Sequence, residues 1–295
     1  MLMRRINIII AACLLLLCSC GQAGNDRHGN GGLKLSEAAA RQHSESEAAK
    51  DNAEDNAETE YSSAGSDTKL SVMLPARRKD LKEQILVREG YTASYNSDNL
   101  EPNWVTWQLT AAHCRGTMKR KGIEFHEDEE VPSPRADTYD YMRSGYDRGH
   151  MCPAGDNKWS MKAMEQSFLL TNVCPQNSNL NRGDWNEIET LCRSWARKYG
   201  SVYITCGPIY LNKKHKRIGK HKVVVPDAFF KVVLTLGDSP KSIGFICRNT
   251  DGNRPKDAYV NSVDDVERIT GYNFFAGLDK KIQDKVERQA DLNDW

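Results

Sequence analysis

The sequence changes character near residue 71, and this change limits where the chain can fold. Residues 21–71 are rich in Ala, Ser, Asn, Glu and Asp and hold almost no large apolar side chain. Such a segment cannot bury enough apolar surface to offset the entropy lost on ordering, so we predict a disordered polar tether there. Residues 72–295 carry apolar runs throughout, without an internal repeat, and their length suits one well-buried domain.

The first 20 residues have the pattern of an export signal. Two arginines precede an apolar block, Ile6–Leu17, that is shorter than the roughly 20 residues a membrane-spanning helix needs. The following residues, Cys18-Ser19-Cys20, resemble a bacterial lipoprotein box in which Cys20 becomes the lipidated first residue. We therefore expect an exported protein, anchored to a membrane of the cell envelope by lipid alone and facing the periplasm or the surface. A plain secretory signal with an incidental cysteine is the alternative.

The net charge of the whole chain, +1, conceals a basic domain. The leader contributes two arginines, and residues 21–69 hold ten acidic against five basic side chains, which leaves +4 for residues 70–295. A basic domain favours a polyanionic partner. Basic side chains concentrate in Arg115–Lys121 and Lys213–Lys222. These runs are expected to follow a phosphate backbone with little sequence preference, although isolated basic runs are more often solvated loops.

Strand and helix patterns both occur in the domain. Residues 103–109 alternate apolar and polar side chains after a proline, as in a core strand. Further β-rich runs lie at residues 201–206, 223–225, 229–236 and 242–247. Helical periodicity predicts helices at residues 181–200, 263–270 and 279–290, the first ending at Gly200. The predicted class is α+β, with a central, mainly antiparallel sheet flanked by helices.

The segment Asp147-Arg148-Gly149-His150 carries the strongest chemical signal. Phosphodiester hydrolysis needs an activated water, neutralisation of phosphate charge and a proton for the leaving oxygen. His150 is the candidate base, because an ordinary histidine pKa of about 6.5 leaves the ring mostly neutral near pH 7. Arg148 can pair with phosphate, and Gly149 permits a close backbone approach. A lone histidine is more often structural, and these neighbours favour the catalytic interpretation.

Asn181 and Glu189 are eight residues apart on the first predicted helix. About 80° of rotation separates such positions, so both side chains can face one cleft. An amide oxygen can hold a hard cation that keeps most of its waters, and a carboxylate can hold one of those waters. A helix-capping Asn181 and a solvated Glu189 are the alternatives, which periodicity alone favours. The acidic run at residues 127–130 is predicted to be an exposed loop, not a second metal site.

Several separated motifs resemble one enzyme family. They are DRGHMCPAGD at residues 147–156, SFLLTNVCPQ at residues 167–176, and then Asn181, Trp185 and Glu189. Together they resemble the sugar-non-specific DNA/RNA endonuclease family of the ββα-metal (His-Me finger) superfamily. The resemblance runs from residues 95–105 to residues 270–275 and so spans most of the domain. It implies a ββα active-site unit and hydrolysis of DNA and RNA with little sequence specificity, leaving 5′-phosphate ends.

The resemblance also implies roles at matching positions. His150 would be the general base and would lie on the strand side of the ββα unit. Asn181 would lie on its helix as the direct Mg²⁺ ligand, with Mn²⁺ as an alternative cation. Glu189 would support water on the metal. The competing class is a non-catalytic surface lipoprotein of the same fold that binds polyanions or a protein partner.

Three further residues receive roles from the same resemblance. Arg148 would bind phosphate or steady the loop, and Asn172 would help fix the geometry of the site. A second phosphate-binding arginine is expected upstream of the histidine. Arg120 matches it best, with Arg115 and Lys119 as rival positions.

Six cysteines follow the leader and Cys20. They are Cys114, Cys152, Cys174, Cys192, Cys206 and Cys247. An even number in an exported chain is compatible with disulfides, and six cysteines allow 15 pairings. We favour a Cys152–Cys174 bond, because both cysteines adjoin site residues that must converge.

Overall fold

The computed structural model describes residues 73–236, 239–250 and 252–295. The predicted signal peptide, the lipidation site Cys20 and the polar tether lie outside these residues. None of the helices in the described part of the chain has both the length and the apolar character to span a bilayer.

Seven strands of the described residues form one fully antiparallel sheet, in the order β1-β2-β3-β6-β9-β10-β11. These strands are β1 Gln84–Val87, β2 Thr92–Asn96, β3 Glu101–Thr110, β6 Ser201–Ile209, β9 Ala228–Thr235, β10 Lys241–Arg248 and β11 Val260–Asn261. Two smaller pairs join β4 Asp147–His150 to β5 Val173–Gln176, and β7 Arg217–Ile218 to β8 Val223–Val224. The predicted antiparallel sheet and its core strands are confirmed.

Helices cover both faces of the large sheet. They are α1 Met161–Gln166, α2 Ser178–Leu180, α3 Asn186–Tyr199, α4 Val263–Thr270 and α5 Lys280–Glu287. Successive residues of a strand point to opposite faces, and Phe229 and Phe230 of β9 accordingly belong to different hydrophobic clusters. The cluster around Phe229 contains the apolar stripe of α3, whereas the cluster around Phe230 contains the buried valines of α4 and α5. The sheet therefore separates α3 from the two C-terminal helices, and the α+β class is confirmed.

The predicted ββα unit is present, with one correction to its helix. β4 and β5 pair with Gly149 opposite Cys174 and His150 opposite Val173. The chain then passes through α2 and a kinked turn before α3 begins at Asn186. Gly183 in that turn has non-helical angles, φ −100° and ψ −109°. Residues 181–200 are thus not one continuous helix, and the predicted 80° relation between Asn181 and Glu189 is wrong.

The predicted Cys152–Cys174 disulfide is also wrong, since all six cysteines of the described residues are free. Their thiols face different polar partners. The Cys152 Sγ accepts a hydrogen bond from Asn157 Nδ2 at 3.3 Å, whereas the Cys174 thiol interacts with the buried carboxyl of Glu101. Residues flanking two converging side chains need not themselves face each other.

The acidic run at residues 127–130 is only partly the exposed loop that the sequence predicts. Asp128 is 4% exposed. Its carboxylate accepts hydrogen bonds from Arg88 Nη2 and Thr171 Oγ1, each at 2.6 Å. These contacts fix the loop to the turn between β1 and β2 and to the segment before β5.

Candidate active site

A cleft of about 590 Å³ opens beside the ββα unit and collects most of the predicted site residues. Its lining includes Arg120, Arg148, His150, Asn181 and Glu189. These residues come from a loop, from β4, from the kinked turn and from α3. The strand pair and the turn therefore bring together side chains that are far apart in the sequence.

His150 occupies an aromatic corner of the cleft. Its ring centroid lies 4.9 Å from that of Phe125 and 5.0 Å from that of Phe168, the latter edge-on. The ring is partly exposed, but its Nε2 is buried and has no hydrogen-bond partner among the described residues. Burial, and then the positive charge of Arg120, lower the pKa of His150 to about 3. The imidazole is consequently neutral across the physiological pH range.

Asn181 is held by its amide nitrogen. Its Nδ2 donates a hydrogen bond to Asp147 Oδ2 at 3.0 Å. Asp147 also accepts bonds from Ser178 Oγ at 2.8 Å and from Arg182 Nε at 2.9 Å. Burial opposes ionisation of Asp147, but these hydrogen bonds prevail and lower its pKa. Asp147 thus anchors the turn and leaves the carbonyl oxygen of Asn181 as the group available for a ligand.

Glu189 is not the solvated helix residue that periodicity favours, because its side chain is only 11% exposed. It lies 3.9 Å from Arg193, which also pairs with Asp156 at 3.0 Å. Burial and the charge of Asp156 raise the pKa of Glu189 to about 7, while Lys231 and Arg193 oppose the rise. Burial therefore raises the pKa of this carboxyl, and the neighbouring charges determine how far it rises.

Lys231 is a residue of this charge network that the sequence reading missed. It lies in the central strand β9, is fully buried, and its Nζ has no hydrogen-bond partner among the described residues. The ammonium group lies 4.3 Å from the ring centroid of Trp185 and 5.2 Å from that of Trp107. The sequence did carry a signal for this residue, because Lys231 is the one charged side chain in the otherwise mainly apolar run Ala228–Thr235. A charge buried in such a strand requires a compensating partner, which predicts carboxylates close to it.

Arg193 was missed for a different reason. A basic residue late in a helix is usually explained by the helix dipole, but Arg193 bridges Glu189 and Asp156. Its spacing of four residues from Glu189 is typical of a pair on one helix face and could have shown this. Asp156 also accepts a hydrogen bond from Trp107 Nε1 at 3.1 Å, so the Asp156 end of the bridge is fixed to the core.

Asn172 lies beneath the cleft, fully buried. Its Oδ1 accepts from the Cys152 backbone N–H at 2.9 Å, and its Nδ2 donates to the carbonyls of Cys152 and Ser167 at 2.9 and 2.8 Å. It therefore ties the loop after His150 to the segment before β5. Asn172 can act only by positioning that loop.

The arginines and basic runs surround the opening of the cleft. The guanidinium of Arg148 lies 5.0 Å from the Phe125 ring, and that of Arg120 lies 5.3 Å from the Phe168 ring. A neighbouring groove contains Lys119 and Lys121 and shares Arg120 with the cleft. Lys216 lies 4.7 Å from the ring centroid of Tyr146, another cleft residue. Positive charge thus lies around the cleft that contains His150.

The donor set fits a divalent cation. The Asn181 oxygen and the Glu189 carboxylate line one cleft, and both are oxygen ligands of the type that hard cations prefer. The hydrogen bond from Asn181 to Asp147 aims the amide and uses its nitrogen, so only the oxygen remains for a cation. This arrangement has the character of a phosphodiester-cleaving site: a neutral imidazole, a cation ligand and several guanidinium groups.

Comparisons with known proteins agree with that class. A sequence model of the family described as DNA/RNA non-specific endonuclease matches residues 74–281. The chain is 35% identical to Endonuclease G, mitochondrial, of Bos taurus over 66% of this chain and 70% of that protein. It is also 33% identical to a nuclease of Nostoc sp. over 70% of this chain and 78% of that protein. The chain belongs to the DNA/RNA non-specific endonuclease family.

A solved structure supports the same assignment. The chain superposes on a chain of the EndoG/EndoGI complex, whose structure addresses the mechanism of EndoG inhibition, with a TM-score of 0.67. The match has 29% identity and covers 72% of this chain and 91% of that chain. The fold and the nuclease class are therefore shared, and the protein is an enzyme that acts on nucleic acid.

Proposed function

We propose that this protein is an exported, lipid-anchored, magnesium-dependent endonuclease that hydrolyses DNA and RNA with little sequence specificity and leaves 5′-phosphate ends. One observation carries the proposal: His150 and Asn181 line the same cleft, between basic segments. A non-catalytic polyanion-binding protein would not need a neutral imidazole beside a cation ligand. Mn²⁺ is the alternative cation.

In the proposed reaction, His150 removes a proton from the attacking water, whose oxygen forms a bond to phosphorus. The P–O3′ bond breaks, and the departing 3′ oxygen receives a proton from solvent. The phosphate therefore remains on the 5′ oxygen of the downstream fragment. A divalent cation held by Asn181 would neutralise charge on the phosphate and the leaving oxygen. Arg120 and Arg148 bind the phosphate oxygens beside the imidazole. Glu189 orients water in the cleft, and Asn172 positions the His150 loop.

Arg120 and His150 are coupled through charge. The guanidinium helps to keep the pKa of His150 low. A phosphodiester bound to Arg120 would offset that positive charge and raise the pKa of His150. Substrate binding would thus make the imidazole a better base at the moment when it is needed, because base catalysis is most efficient when the pKa lies near the working pH.

The central test is cleavage by the full chain of supercoiled plasmid DNA and of a structured RNA, first with Mg²⁺ and then with chelator. We expect both polymers to be cut in Mg²⁺ and neither in chelator. Because the expected products already carry a 5′-phosphate, a polynucleotide kinase should label their 5′ ends only after a phosphatase has removed it. Binding of DNA without cleavage in Mg²⁺ or Mn²⁺ would establish the non-catalytic alternative.

The role of Asn181 is tested by metal titration. Asn181→Ala removes the proposed ligand oxygen, so we expect the Mg²⁺ concentration for half-maximal cleavage to rise by at least about tenfold. Asn179→Ala is the matched control, because Asn179 lies two residues away and is exposed. An unchanged Mg²⁺ titration for Asn181→Ala would remove the ligand assignment.

The proposed location rests on the leader sequence and the tether. Lipid on Cys20, followed by a polar tether over residues 21–71, would let the domain stand away from a membrane of the cell envelope. Cys20→Ser should move the protein from the detergent-extracted membrane fraction to a soluble fraction. A wild-type protein that is soluble from the start would favour a plain secretory signal.

A further inference from the structure

Three carboxylates meet between the two C-terminal helices, away from the cleft. Asp264 and Glu267 lie on α4, and Glu287 ends α5. One carboxylate oxygen from each lies within 4.8 Å of the other two. The helices that carry them pack on the sheet face opposite to α3, so this cluster is separate from the candidate active site.

Glu287 is the unusual member of the cluster. It is only 3% exposed, yet its Oε1 has no hydrogen-bond partner among the described residues. A buried carboxylate oxygen without a partner is strongly disfavoured, because desolvation is not offset. One carboxylate oxygen of Glu267 already has a partner, since its Oε1 accepts a hydrogen bond from the Phe274 backbone N–H at 2.6 Å. Asp264 is exposed and gives the cluster access to solvent.

No cation of the described residues neutralises this cluster. None of the ion pairs among those residues includes Asp264, Glu267 or Glu287. The nearest basic group, Lys280, is exposed and pairs with Asp284 instead. The Gln283 amide reaches the Glu287 carboxyl but also donates to Asn273 Oδ1 and to the Phe274 carbonyl. The charge of Lys280 lowers the pKa values of Glu267 and Glu287 without forming an ion pair with either, so negative charge is concentrated here without a directly paired cation among the described residues.

Another group of metal-ligand side chains differs from this cluster in its hydrogen bonding. Asp137, Asp140 and His221 also lie close together. There the Asp140 carboxylate accepts from His221 Nδ1 at 2.9 Å and from the Asp137 backbone N–H at 2.9 Å. Asp137 caps the short helix that contains Asp140. Internal hydrogen bonds explain that group, whereas they leave the Glu287 oxygen unexplained.

We propose that Asp264, Glu267 and Glu287 form a Ca²⁺-binding site that fastens α4 to α5. One carboxylate oxygen of each residue lies within 4.8 Å of the other two, so a single ion can reach all three. Ca²⁺ takes six to eight oxygen ligands and is commonly held by several carboxylates, whereas Mg²⁺ usually keeps several waters and is bound by only one or two carboxylates. Water reaching the site past Asp264 would complete the coordination. The role of the ion is structural, because it joins two helices on the face away from the cleft.

A shared proton is the competing way to relieve the repulsion. Burial and the neighbouring carboxylates raise the pKa of Glu267 to about 7 and that of Glu287 to about 8. If protons alone occupied the cluster, acidification would stabilise the protein and Ca²⁺ would not. The two explanations therefore make opposite predictions at constant pH.

The test measures the Tm of the chelator-treated full chain at pH 8 as CaCl₂ is added. All variants are made in the Asn181→Ala background, so that the proposed cleft ligand does not contribute. At a free Ca²⁺ concentration about a hundred times Kd, we expect the Tm to rise by about 5–10 °C. Glu287→Gln and Glu267→Gln should abolish the rise. Asp257→Asn, which removes an exposed acidic residue outside the cluster, should retain it.

Misfolding cannot imitate the expected result. Glu287→Gln removes repulsion, so its Tm in chelator should equal or exceed that of the parent, and only the response to Ca²⁺ should disappear. A parent whose Tm ignores Ca²⁺ would overturn the proposal, and a rise of Tm on acidification that Glu287→Gln removes would assign the cluster to a shared proton. A Ca²⁺ response that survives in Glu287→Gln, or a larger response to MgCl₂ than to CaCl₂, would also overturn it.

Discussion

A histidine that acts as a base must be neutral and must still be basic enough to accept a proton. His150 meets the first condition through burial and through Arg120, which together lower its pKa to about 3. The proposed function meets the second through a bound phosphate that offsets the arginine charge. Glu189, whose pKa is raised to about 7, responds in the opposite direction to the same kind of burial. The pKa values of both groups are thus set first by burial and then by the charged neighbours.

The first prediction concerns His150 itself. His150→Ala removes the proposed base, so we expect kcat to fall by roughly 10²–10⁴ while DNA binding is retained. His126→Ala is the control, because His126 is exposed and its Nδ1 lies 3.1 Å from the Glu124 carbonyl oxygen. Turnover that survives in His150→Ala would place the base elsewhere.

The second prediction concerns Lys231 as a positioning residue. Its positive charge lowers the pKa of Glu189 against the effect of burial. Lys231→Met keeps most of the side-chain volume but removes that charge, so the acid limb of kcat/KM against pH should move to higher pH. Lys241→Met is a matched control, because Lys241 also stacks on aromatic rings but lies outside the cleft. An unmoved acid limb in Lys231→Met would mean that Lys231 serves packing alone.

At the scale of elements, the short β4–β5 pair sets where the imidazole lies. Gly149 faces Cys174 across this pair, one residue before His150. A Cβ built on Gly149 would lie 2.3 Å from Gln176 Oε1 and 2.6 Å from Gln176 Cβ. The close approach of the two strands therefore requires a glycine at this position, and the requirement arises from space, since the φ angle of Gly149 is not positive.

The third prediction follows from this contact. Gly149→Ala should push β4 away from β5, lowering the free energy of unfolding by about 1–3 kcal/mol and displacing His150. Urea unfolding and a cleavage assay measure the two effects on the same sample. A variant with wild-type stability and wild-type activity would show that the strand pair tolerates the extra methyl group.

At the scale of the whole molecule, buried carboxyl groups give the fold its pH dependence. Glu101 is fully buried in β3, and burial raises its pKa to about 8 although Tyr210 and Cys174 donate hydrogen bonds to it. The folded protein therefore holds a proton that the unfolded chain releases near pH 4.5. Its contribution to stability is complete below that pH and is lost as the pH rises through about 8. His150 affects stability on the acid side. The unfolded chain protonates this histidine below about pH 6.5 and the folded protein does not, so its contribution to stability is lost as the pH falls from 6.5 towards about 3.

The fourth prediction is a decline of Tm between about pH 6.5 and pH 9, measured with chelator present. Glu101→Gln removes the titrating group at nearly constant volume and should flatten this decline. An equally steep decline in Glu101→Gln would mean that other groups, such as Glu267 and Glu287, control the alkaline side.

Much of the architecture could be predicted from local patterns. β9 falls on a predicted β-rich run, α4 was predicted over the residues it occupies, and Gly200 ends α3 with a φ of +83°. These predictions succeeded because side-chain periodicity and backbone sterics act within a few residues. The same reasoning failed at Asn181, because the helix is interrupted at Gly183, where Asp147 accepts hydrogen bonds from Asn181 and Arg182 across the ββα unit and these long-range contacts are not visible in local periodicity.

The sequence alone determined the class of the fold, the antiparallel sheet, the family and the residue types of the site, since these depend on composition, local periodicity and motif spacing. Only the tertiary structure decided which side chains share the cleft, that Arg193 and the buried Lys231 control Glu189, and that Cys152 and Cys174 stay apart. It also brought the carboxylates of α4 and α5 together on the far face of the sheet. The physical reason is distance: burial and Coulomb interactions depend on separation in space, which the order of residues along the chain does not specify.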